Sequence, residues 1–116
     1  MTAGRLRLGA AGEDRAAAWY VARGYEVVAR NWRCREGELD LIARRGATLV
    51  VCEVKTRSSL AYGHPAEAVT AHKQRRIRTL ATRWLAEADL ERRPEVVRFD
   101  VAAVLPRTVE VIEGAF

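Results

Sequence analysis

Residues 37–55 read GELDLIARRGATLVVCEVK, and this stretch determines the fold class that the sequence predicts. Two apolar segments, residues 39–43 and 49–54, have the length and composition of β-strands. Gly46 lies between them and marks a tight turn. We therefore expect a β-hairpin in the middle of the chain.

Both strands of this hairpin carry charged residues among apolar neighbours. Side chains of a strand alternate between the two faces of a sheet. Glu38 and Asp40 are therefore expected on one face of the first strand, and Glu53 and Lys55 share one face of the second. The same alternation predicts that two leucines lie together on the face opposite Asp40, namely Leu39 and Leu41.

A two-residue turn at Gly46-Ala47 would fix the register of the hairpin. Counting outward from this turn, Asp40 lies opposite Glu53, and Glu38 lies opposite Lys55. Opposed residues have Cβ atoms roughly 4.5–5.5 Å apart, and two carboxylates that close repel each other when both are ionised. A divalent cation between Asp40 and Glu53 would remove this repulsion.

These residue types indicate metal-assisted phosphodiester hydrolysis. Mg²⁺ prefers carboxylate and water oxygens and usually takes one or two protein carboxylates. We expect Mg²⁺ or Mn²⁺ on Asp40 and Glu53, with the backbone carbonyl of Val54 as a further ligand. Lys55 could orient the attacking water or neutralise negative charge in the transition state.

Two helices are predicted, at residues 10–23 before Gly24 and at residues 70–88 with Thr70 as the N-cap. Glu13 lies on the apolar stripe of the first helix. Two interpretations of Glu13 stay open. It is either an additional metal ligand, direct or through water, or an exposed first-turn residue stabilised by the helix dipole.

Lys73 and Gln74 lie on the inward stripe of the second helix, near its N-terminus. Backbone amides at a helix N-terminus favour anions, so we expect these two residues to contact a substrate phosphate. Arginines at the sides of the helix could follow a nucleic-acid backbone: Arg75, Arg76, Arg78 and Arg83. The alternative is an ordinary solvated arginine face.

Three further strands are predicted, at residues 25–33, 96–105 and 109–112, and complete the order helix, three strands, helix, two strands. Three consecutive strands suggest an antiparallel meander with helices packed on the sheet, in an α+β fold or a mixed α/β sandwich. Asp100 interrupts an apolar strand and either faces the site or pairs with an arginine. We expect one domain over residues 1–116 that begins with a loose, basic lead-in at about residues 1–9.

The composition favours a polyanion as the partner. The chain has 116 residues and a formal net charge of +5, and small basic domains tend to bind polyanions. Its two cysteines do not suggest a disulfide scaffold. No apolar run approaches the roughly 20 residues of a membrane span, and the N-terminus lacks the apolar core of a secretory signal. We therefore expect a cytoplasmic protein without a membrane partner.

The spacing of Asp40 and Glu53-Val54-Lys55 resembles the signature of the PD-(D/E)xK nucleases, a superfamily of restriction enzymes and archaeal Holliday-junction resolvases. Leu39 precedes Asp40 where the name of the signature has proline. Nearly the whole chain is also similar to the YraN family of bacterial proteins, in motifs that include Gly12-Glu13, Asn31-Trp32-Arg33, Gly37-Glu38-Leu39-Asp40, Glu53-Val54-Lys55-Thr56-Arg57, Lys73-Gln74 and Phe99-Asp100-Val101.

This resemblance implies a single restriction-endonuclease-like domain of the α/β class, with an αβββαβ core and a mixed sheet flanked by helices. It places Asp40, Glu53 and Lys55 at the nuclease positions. Glu13 matches the first-helix glutamate of the resolvase-like branch. Other duplex-cutting members of the fold often pair, so either a monomer or a homodimer is expected by analogy.

The leading hypothesis is a Mg²⁺- or Mn²⁺-dependent endonuclease that acts on DNA, in particular on branched or damaged DNA. The alternatives are a non-catalytic nucleic-acid-binding module of nuclease fold, and a protein–protein adaptor whose charged strand residues form structural ion pairs. The candidate catalytic residues are Asp40, Glu53, Lys55, Glu13 and Glu38. The candidate metal ligands are Asp40, Glu53, Val54 and Glu13. The candidate nucleic-acid contacts are Arg57, Lys73, Gln74, Arg75 and Arg76.

Overall fold

The computed structural model describes residues 3–59, 67 and 69–116, with side chains described from residue 10 onward. It contains two helices and five strands, which are α1 (Ala3–Val21), β1 (Glu26–Cys34), β2 (Gly37–Arg45), β3 (Thr48–Thr56), α2 (Ala71–Glu87), β4 (Val96–Val104) and β5 (Val109–Ile112). Neither described helix is long and apolar enough to cross a membrane. The order αβββαβ, followed by one more strand, is consistent with the expected restriction-endonuclease-like fold.

All five strands form one mixed sheet in the spatial order β1-β2-β3-β4-β5. The first three strands pair antiparallel, which confirms the predicted meander. β3 and β4 pair in parallel along their whole lengths, from Thr48↔Val96 to Thr56↔Val104. Parallel neighbours need a long crossover connection, and α2 lies within this one. β5 returns antiparallel to β4.

The sheet is the middle layer of the fold, with one helix on each face. The buried residues on the α1 face include Ala16, Tyr20, Leu41, Val50, Cys52 and Ala102. Those on the α2 face include Leu39, Val51, Ile77, Leu80, Trp84 and Val101. Coverage on both faces explains the nearly continuous apolar run of β3, which is typical of strands in the interior of an α/β sheet.

The helix boundaries follow local sequence signals. Past the end of α1, the Tyr25 N–H donates to the Tyr20 carbonyl and the Gly24 N–H donates to the Val21 carbonyl, both at 3.1 Å. These two bonds form a Schellman motif, and the φ angle of +86° at Gly24 suits glycine. Thr70 caps α2 as predicted, because its Oγ1 accepts a hydrogen bond from the Lys73 backbone N–H at 3.3 Å.

α1 begins at Ala3, so helix covers most of the stretch that the sequence predicts to be a loose lead-in. Five of residues 3–9 have high helix propensity and favour the extension, namely Ala3, Arg5, Leu6, Arg7 and Leu8.

The prediction that Leu39 and Leu41 share a face is wrong, because Leu39 packs under α2 and Leu41 packs under α1. The alternation breaks between them, where the β1–β2 ladder has no pair between Asn31 and Asp40. Asn31 has a φ angle of +50°. Asparagine tolerates this left-handed conformation better than most residues do. The conformation of Asn31 accounts for the local departure from regular pairing.

Asp100 is fully buried on the α1 face of the sheet. It pairs with an arginine, Arg98, and does not face the site that contains Glu53 and Lys55. Its carboxylate accepts hydrogen bonds from the Tyr20 hydroxyl at 2.5 Å, from Arg98 Nε at 2.9 Å and from the Gly114 backbone N–H at 3.0 Å. Burial raises the pKa of Tyr20, so its hydroxyl stays a neutral donor. The network joins α1, β4 and the C-terminal segment.

Candidate functional site

The predicted register of the β2–β3 hairpin is confirmed for five pairs, from Arg45↔Thr48 at the turn to Leu41↔Cys52. The ladder ends there, so Asp40 and Glu53 do not form the next regular pair. Instead, Asp40 Oδ2 accepts a hydrogen bond from the Val54 backbone N–H at 2.9 Å. The Asp40 carboxylate therefore accepts the hydrogen bond of a backbone amide in β3. This bond holds the carboxylate beside Glu53, where the ladder ends.

Glu53 and Lys55 project toward α2, because they continue the alternation that buries Val51 on that face. Lys55 Nζ lies 3.9 Å from Glu53 Oε1, and the two side chains are 21% and 17% exposed. Both line a cavity of about 270 Å³ between the sheet and α2, together with Gly37, Glu38, Lys73, Arg76, Ile77 and Leu80.

Two carboxylates of this site, Asp40 and Glu53, have raised pKa values. The pKa of Glu53 is raised to about 7, and burial is the largest cause of this rise. The charge of Asp40 raises the pKa further, whereas the charge of Lys55 lowers it. Burial also raises the pKa of Asp40, although the hydrogen bond from Val54 lowers it. The charges of Glu13 and Glu38 raise the pKa of Asp40 further. The structure therefore brings Glu13, Glu38, Glu53 and Lys55 within electrostatic range of Asp40.

Glu13 and Glu38 have arginine partners that the sequence did not predict. Glu13, on α1, is 18% exposed in its side chain and lies 4.0 Å from Arg30 Nη2. Its low exposure agrees with the inward interpretation, not with the solvated one. Glu38 is 47% exposed and pairs with Arg33 Nε at 2.8 Å. The antiparallel pair Arg33↔Glu38 of β1 and β2 produces this ion pair.

The donor set suits a cation that keeps most of its water. In the part of the chain that the structure describes, no three His, Cys, Asp or Glu side chains form a group that could hold a metal ion. Glu13 therefore does not complete a three-carboxylate cluster with Asp40 and Glu53. Two adjacent carboxylates with raised pKa values nevertheless fit Mg²⁺ or Mn²⁺, because such ions bind through one or two carboxylates plus water and phosphate oxygens.

The predicted nucleic-acid contacts separate into two groups. Lys73 and Arg76 line the same cavity as Glu53. Gln74 is half-buried, and its side-chain amide donates to the Val69 carbonyl at 3.1 Å, so it holds the start of α2. Arg75 is exposed outside this cavity, and Arg57 lines a second cavity on the α1 face. From the sequence, Tyr62 and Gly63 follow the strand that carries Lys55 and could shape a substrate channel; both lie outside the described residues.

Sequence reasoning missed the second cavity altogether. It lies at the ends of β3 and β4 and includes Arg15, Thr56 and Ser58. One signal was available, since strand alternation places Thr56 on the face opposite Lys55. The position of Arg15 depends on how α1 crosses the sheet, which no local pattern specifies.

The fold and the charged cavity define a small α/β protein of the restriction-endonuclease-like type. The chain belongs to the uncharacterised protein family UPF0102, whose sequence model matches residues 12–104, and this confirms the resemblance to the YraN proteins.

Curated relatives support this membership. The chain is 63% identical over 98 residues to a UPF0102 protein of Beutenbergia cavernae, which covers 84% of this chain and 81% of the relative. It is 54% identical over 114 residues to one of Frankia casuarinae, with 94% and 95% covered. It is 47% identical over 125 residues to one of Acidothermus cellulolyticus, with 97% and 95% covered.

Proposed function

We propose that this protein is a Mg²⁺- or Mn²⁺-dependent nuclease that hydrolyses phosphodiester bonds in DNA. The observation that carries the proposal is the neighbourhood of Asp40, Glu53 and Lys55. Glu53 and Lys55 line a cavity, and Asp40, a second carboxylate with a raised pKa, lies close to Glu53. One lysine serves both carboxylates, because Lys55 Nζ is 3.9 Å from Glu53 Oε1 and its charge also lowers the pKa of Asp40.

Each residue has a distinct role in this proposal. Asp40 and Glu53 hold the cation, and the hydrogen bond from Val54 fixes the orientation of the Asp40 carboxylate. When bound, the cation would stabilise negative charge on the phosphate and lower the pKa of a water molecule. Lys55 orients the attacking water and stabilises charge that develops on the phosphate. Glu13 approaches from the α1 side and can hold a water molecule near Asp40.

The opposite wall of the cavity is suited to a polyanion. Lys73 and Arg76 of α2 line it and face the strand that carries Glu53 and Lys55. Lys73 is also the residue whose amide is capped by Thr70, so it lies in the first turn of the helix, where backbone amides favour anions. The choice of DNA, and of branched or damaged DNA in particular, rests on the resemblance to resolvases.

A non-catalytic nucleic-acid-binding module is the second candidate. One observation favours it: the described residues contain no group of three potential metal ligands. Under this alternative, Lys73, Arg76 and the neighbouring arginines would bind nucleic acid while Asp40 and Glu53 bind no cation.

Calorimetric titration with Mn²⁺ or Mg²⁺ tests the metal site. The wild type should bind the ion, and Asp40→Asn and Glu53→Gln should each lose most of the affinity. Glu91→Gln is the matched control, because Glu91 is an exposed carboxylate outside the cavity. If the wild type binds no ion even in the presence of DNA, the nuclease proposal fails.

Cleavage of end-labelled branched and single-stranded DNA tests the activity. The wild type should cut in Mn²⁺ or Mg²⁺, and Lys55→Ala should bind the ion but not cut. Salt-sensitive DNA binding without cleavage under any of these conditions would assign the protein to the second candidate instead.

A further inference from the structure

A cavity of about 370 Å³ lies on the α1 face of the sheet, separate from the cavity that contains Glu53 and Lys55. Its apolar wall is formed by Val104, Leu105 and Pro106, and two arginines, Arg15 and Arg57, lie beside this wall. The volume falls within the roughly 300–1,000 Å³ of small-molecule sites. None of the described residues that line it is acidic.

The cavity lies where β3 and β4 both end, at the last parallel pair Thr56↔Val104. Ligands of α/β sheets bind preferentially outside the carboxyl ends of parallel strands. Thr56 directly follows Lys55, about 3.3 Å further along the strand, with its side chain on the other face. A Cβ added at Gly12 would lie 2.1 Å from Thr56 Oγ1, so α1 approaches this strand end closely. The cavity therefore lies toward the same end of β3 as Lys55, on the opposite face of the sheet from the proposed cleavage site.

The two arginines retain most of their hydrogen-bonding capacity. Arg15 Nη1 donates to the Leu105 carbonyl at 2.6 Å, and Arg57 Nη1 donates to the Thr56 carbonyl at 3.0 Å. A guanidinium group has five N–H donors, and neither group pairs with a carboxylate among the described residues. The carbonyl bonds fix both cations at the cavity while leaving donors for an anion.

We propose that this cavity binds one unpaired nucleotide of the nucleic-acid strand that the adjacent site cleaves. Two guanidinium groups suit a phosphate, and the wall of Leu105 and Pro106 suits the flat apolar surface of a base. The inference rests on the proposed nuclease function for the source of the nucleotide. Extruding a base from a duplex costs a few kcal/mol, and least where it is mismatched or already unpaired. The cavity would therefore select DNA with an unpaired nucleotide next to the scissile bond.

Fluorescence of 2-aminopurine in a single-stranded oligonucleotide tests the proposal. The protein is used with Asp40→Asn in every sample, so that no strand is cut. Binding should change the fluorescence of the base. A second substitution, Ser58→Trp, fills the opening from an exposed position and should abolish the fluorescence change. Arg15→Ala as the second substitution should weaken binding of the oligonucleotide roughly tenfold. Arg92→Ala is the charge-matched control, because Arg92 is exposed before β4 begins, at the other end of the sheet.

Two results would overturn the proposal. One is a fluorescence response in Ser58→Trp equal to that of the protein without this substitution. Arg57→Ala is measured in parallel, in case the tryptophan variant does not fold. The other comes from amide NMR shifts with free thymidine monophosphate. Shifts at Thr56, Arg57 and Leu105 without any oligonucleotide response would assign the cavity to a free nucleotide. Because these readouts need neither metal nor cleavage, an inactive protein with a normal fluorescence response would contradict only the nuclease proposal.

Discussion

Glu53 binds its proton more tightly in the folded chain than in the unfolded chain. Burial, followed by the charge of Asp40, raises its pKa from 4.5 to about 7. A group whose pKa rises on folding contributes stability that is fully present below its unfolded pKa and is lost as the pH rises through its folded pKa. The metal-free protein should therefore become less stable between pH 4.5 and about pH 7.

Glu53→Gln should remove most of this pH dependence, because glutamine resembles the protonated side chain. In EDTA at pH 8 the variant should be more stable than the wild type by up to about 3 kcal/mol, the size that corresponds to the raised pKa. At pH 4 the two should be equally stable. Urea unfolding at both pH values measures this. Glu38→Gln is the control, since Glu38 is 47% exposed, and an unaltered pH dependence in Glu53→Gln would contradict the electrostatic account.

Tyr20 supplies one of the hydrogen bonds to the fully buried Asp100. Tyr20→Phe should lower the free energy of unfolding by roughly 1.5–3 kcal/mol, the usual value for a hydrogen bond to a charged group. Tyr25→Phe is the comparison, because the Tyr25 oxygen only accepts a bond from Arg98 at 3.1 Å, and it should cost less. Equal losses in urea unfolding would show that Asp100 does not depend on Tyr20.

At the scale of elements, β1 and β2 lose their regular pairing opposite Asp40. Asn31 adopts a positive φ angle of 50° there, and Leu39 and Leu41 consequently lie on opposite faces of the sheet. Irregularities of this kind are common beside active sites, where they redirect a side chain. Here the irregular position is Asp40, whose carboxylate accepts a hydrogen bond from the Val54 backbone N–H.

Asn31 therefore offers a test of backbone strain in this element. Asn31→Ala should cost roughly 1 kcal/mol, because alanine tolerates this left-handed φ angle less well than asparagine, whose short polar side chain can hydrogen-bond locally. Asn31→Gly should be neutral or slightly stabilising for the opposite reason. Thermal unfolding of the two variants gives the comparison, and a glycine variant as unstable as the alanine one would refute the strain argument.

The contact between α1 and β3 depends on the absence of a side chain at Gly12. An added Cβ would lie 2.1 Å from Thr56 Oγ1, so Gly12→Ala should displace the helix and cost roughly 1–3 kcal/mol. Thr56→Ala in the same chain should restore part of that loss. A double-mutant cycle by urea unfolding measures the coupling, and strictly additive effects would show that the two residues do not touch.

For the whole molecule, the count of 20 lysines and arginines overstates the basic groups available to a polyanion. Arg83 already pairs with Glu36 and Glu87, and Arg78 lies over the ring of Phe99. On the same helix, Arg75 and Arg76 are exposed and make no side-chain ion pair with the described residues. These two arginines are thus available to a polyanion.

The salt dependence of DNA binding should reflect this difference. Arg75→Ala and Arg76→Ala should each reduce the slope of log affinity against log salt concentration by about 1. Arg83→Ala should change it much less, because its charge is paired. Fluorescence anisotropy at several salt concentrations gives the slopes, and three equal changes would rule out this assignment.

Local signals predicted a large part of this architecture. The turn at Gly46 determined the hairpin register, and Gly24 and Thr70 marked the helix ends, because each rule concerns residues close in sequence. That register also brought Asp40, Glu53 and Lys55 together. The side on which Leu39 lies escaped prediction, since it depends on a positive φ angle in the neighbouring strand.

Long-range features were less accessible to sequence reasoning. No local signal gives the parallel pairing of β3 with β4, because the two strands are separated by α2. The partners of Glu13 and Glu38 likewise come from β1, through packing and pairing across the sheet. The cavity beside Arg15 requires the crossing of α1 over two strand ends, which is a property of the assembled layers.

The parallel pairing of β3 with β4 also determines the order in which the strands of the sheet can pair during synthesis. Chains emerge from the ribosome with the N-terminus first, so the meander of β1 to β3 exists before β4 has been made. Until then β3 is an edge strand, with unpaired backbone groups along one side. Glu53 and Lys55 lie on that strand, and Val104 closes the neighbouring cavity. A chain interrupted before β4 would therefore carry the charged residues without an assembled site, and competence would arise only once β4 has been made.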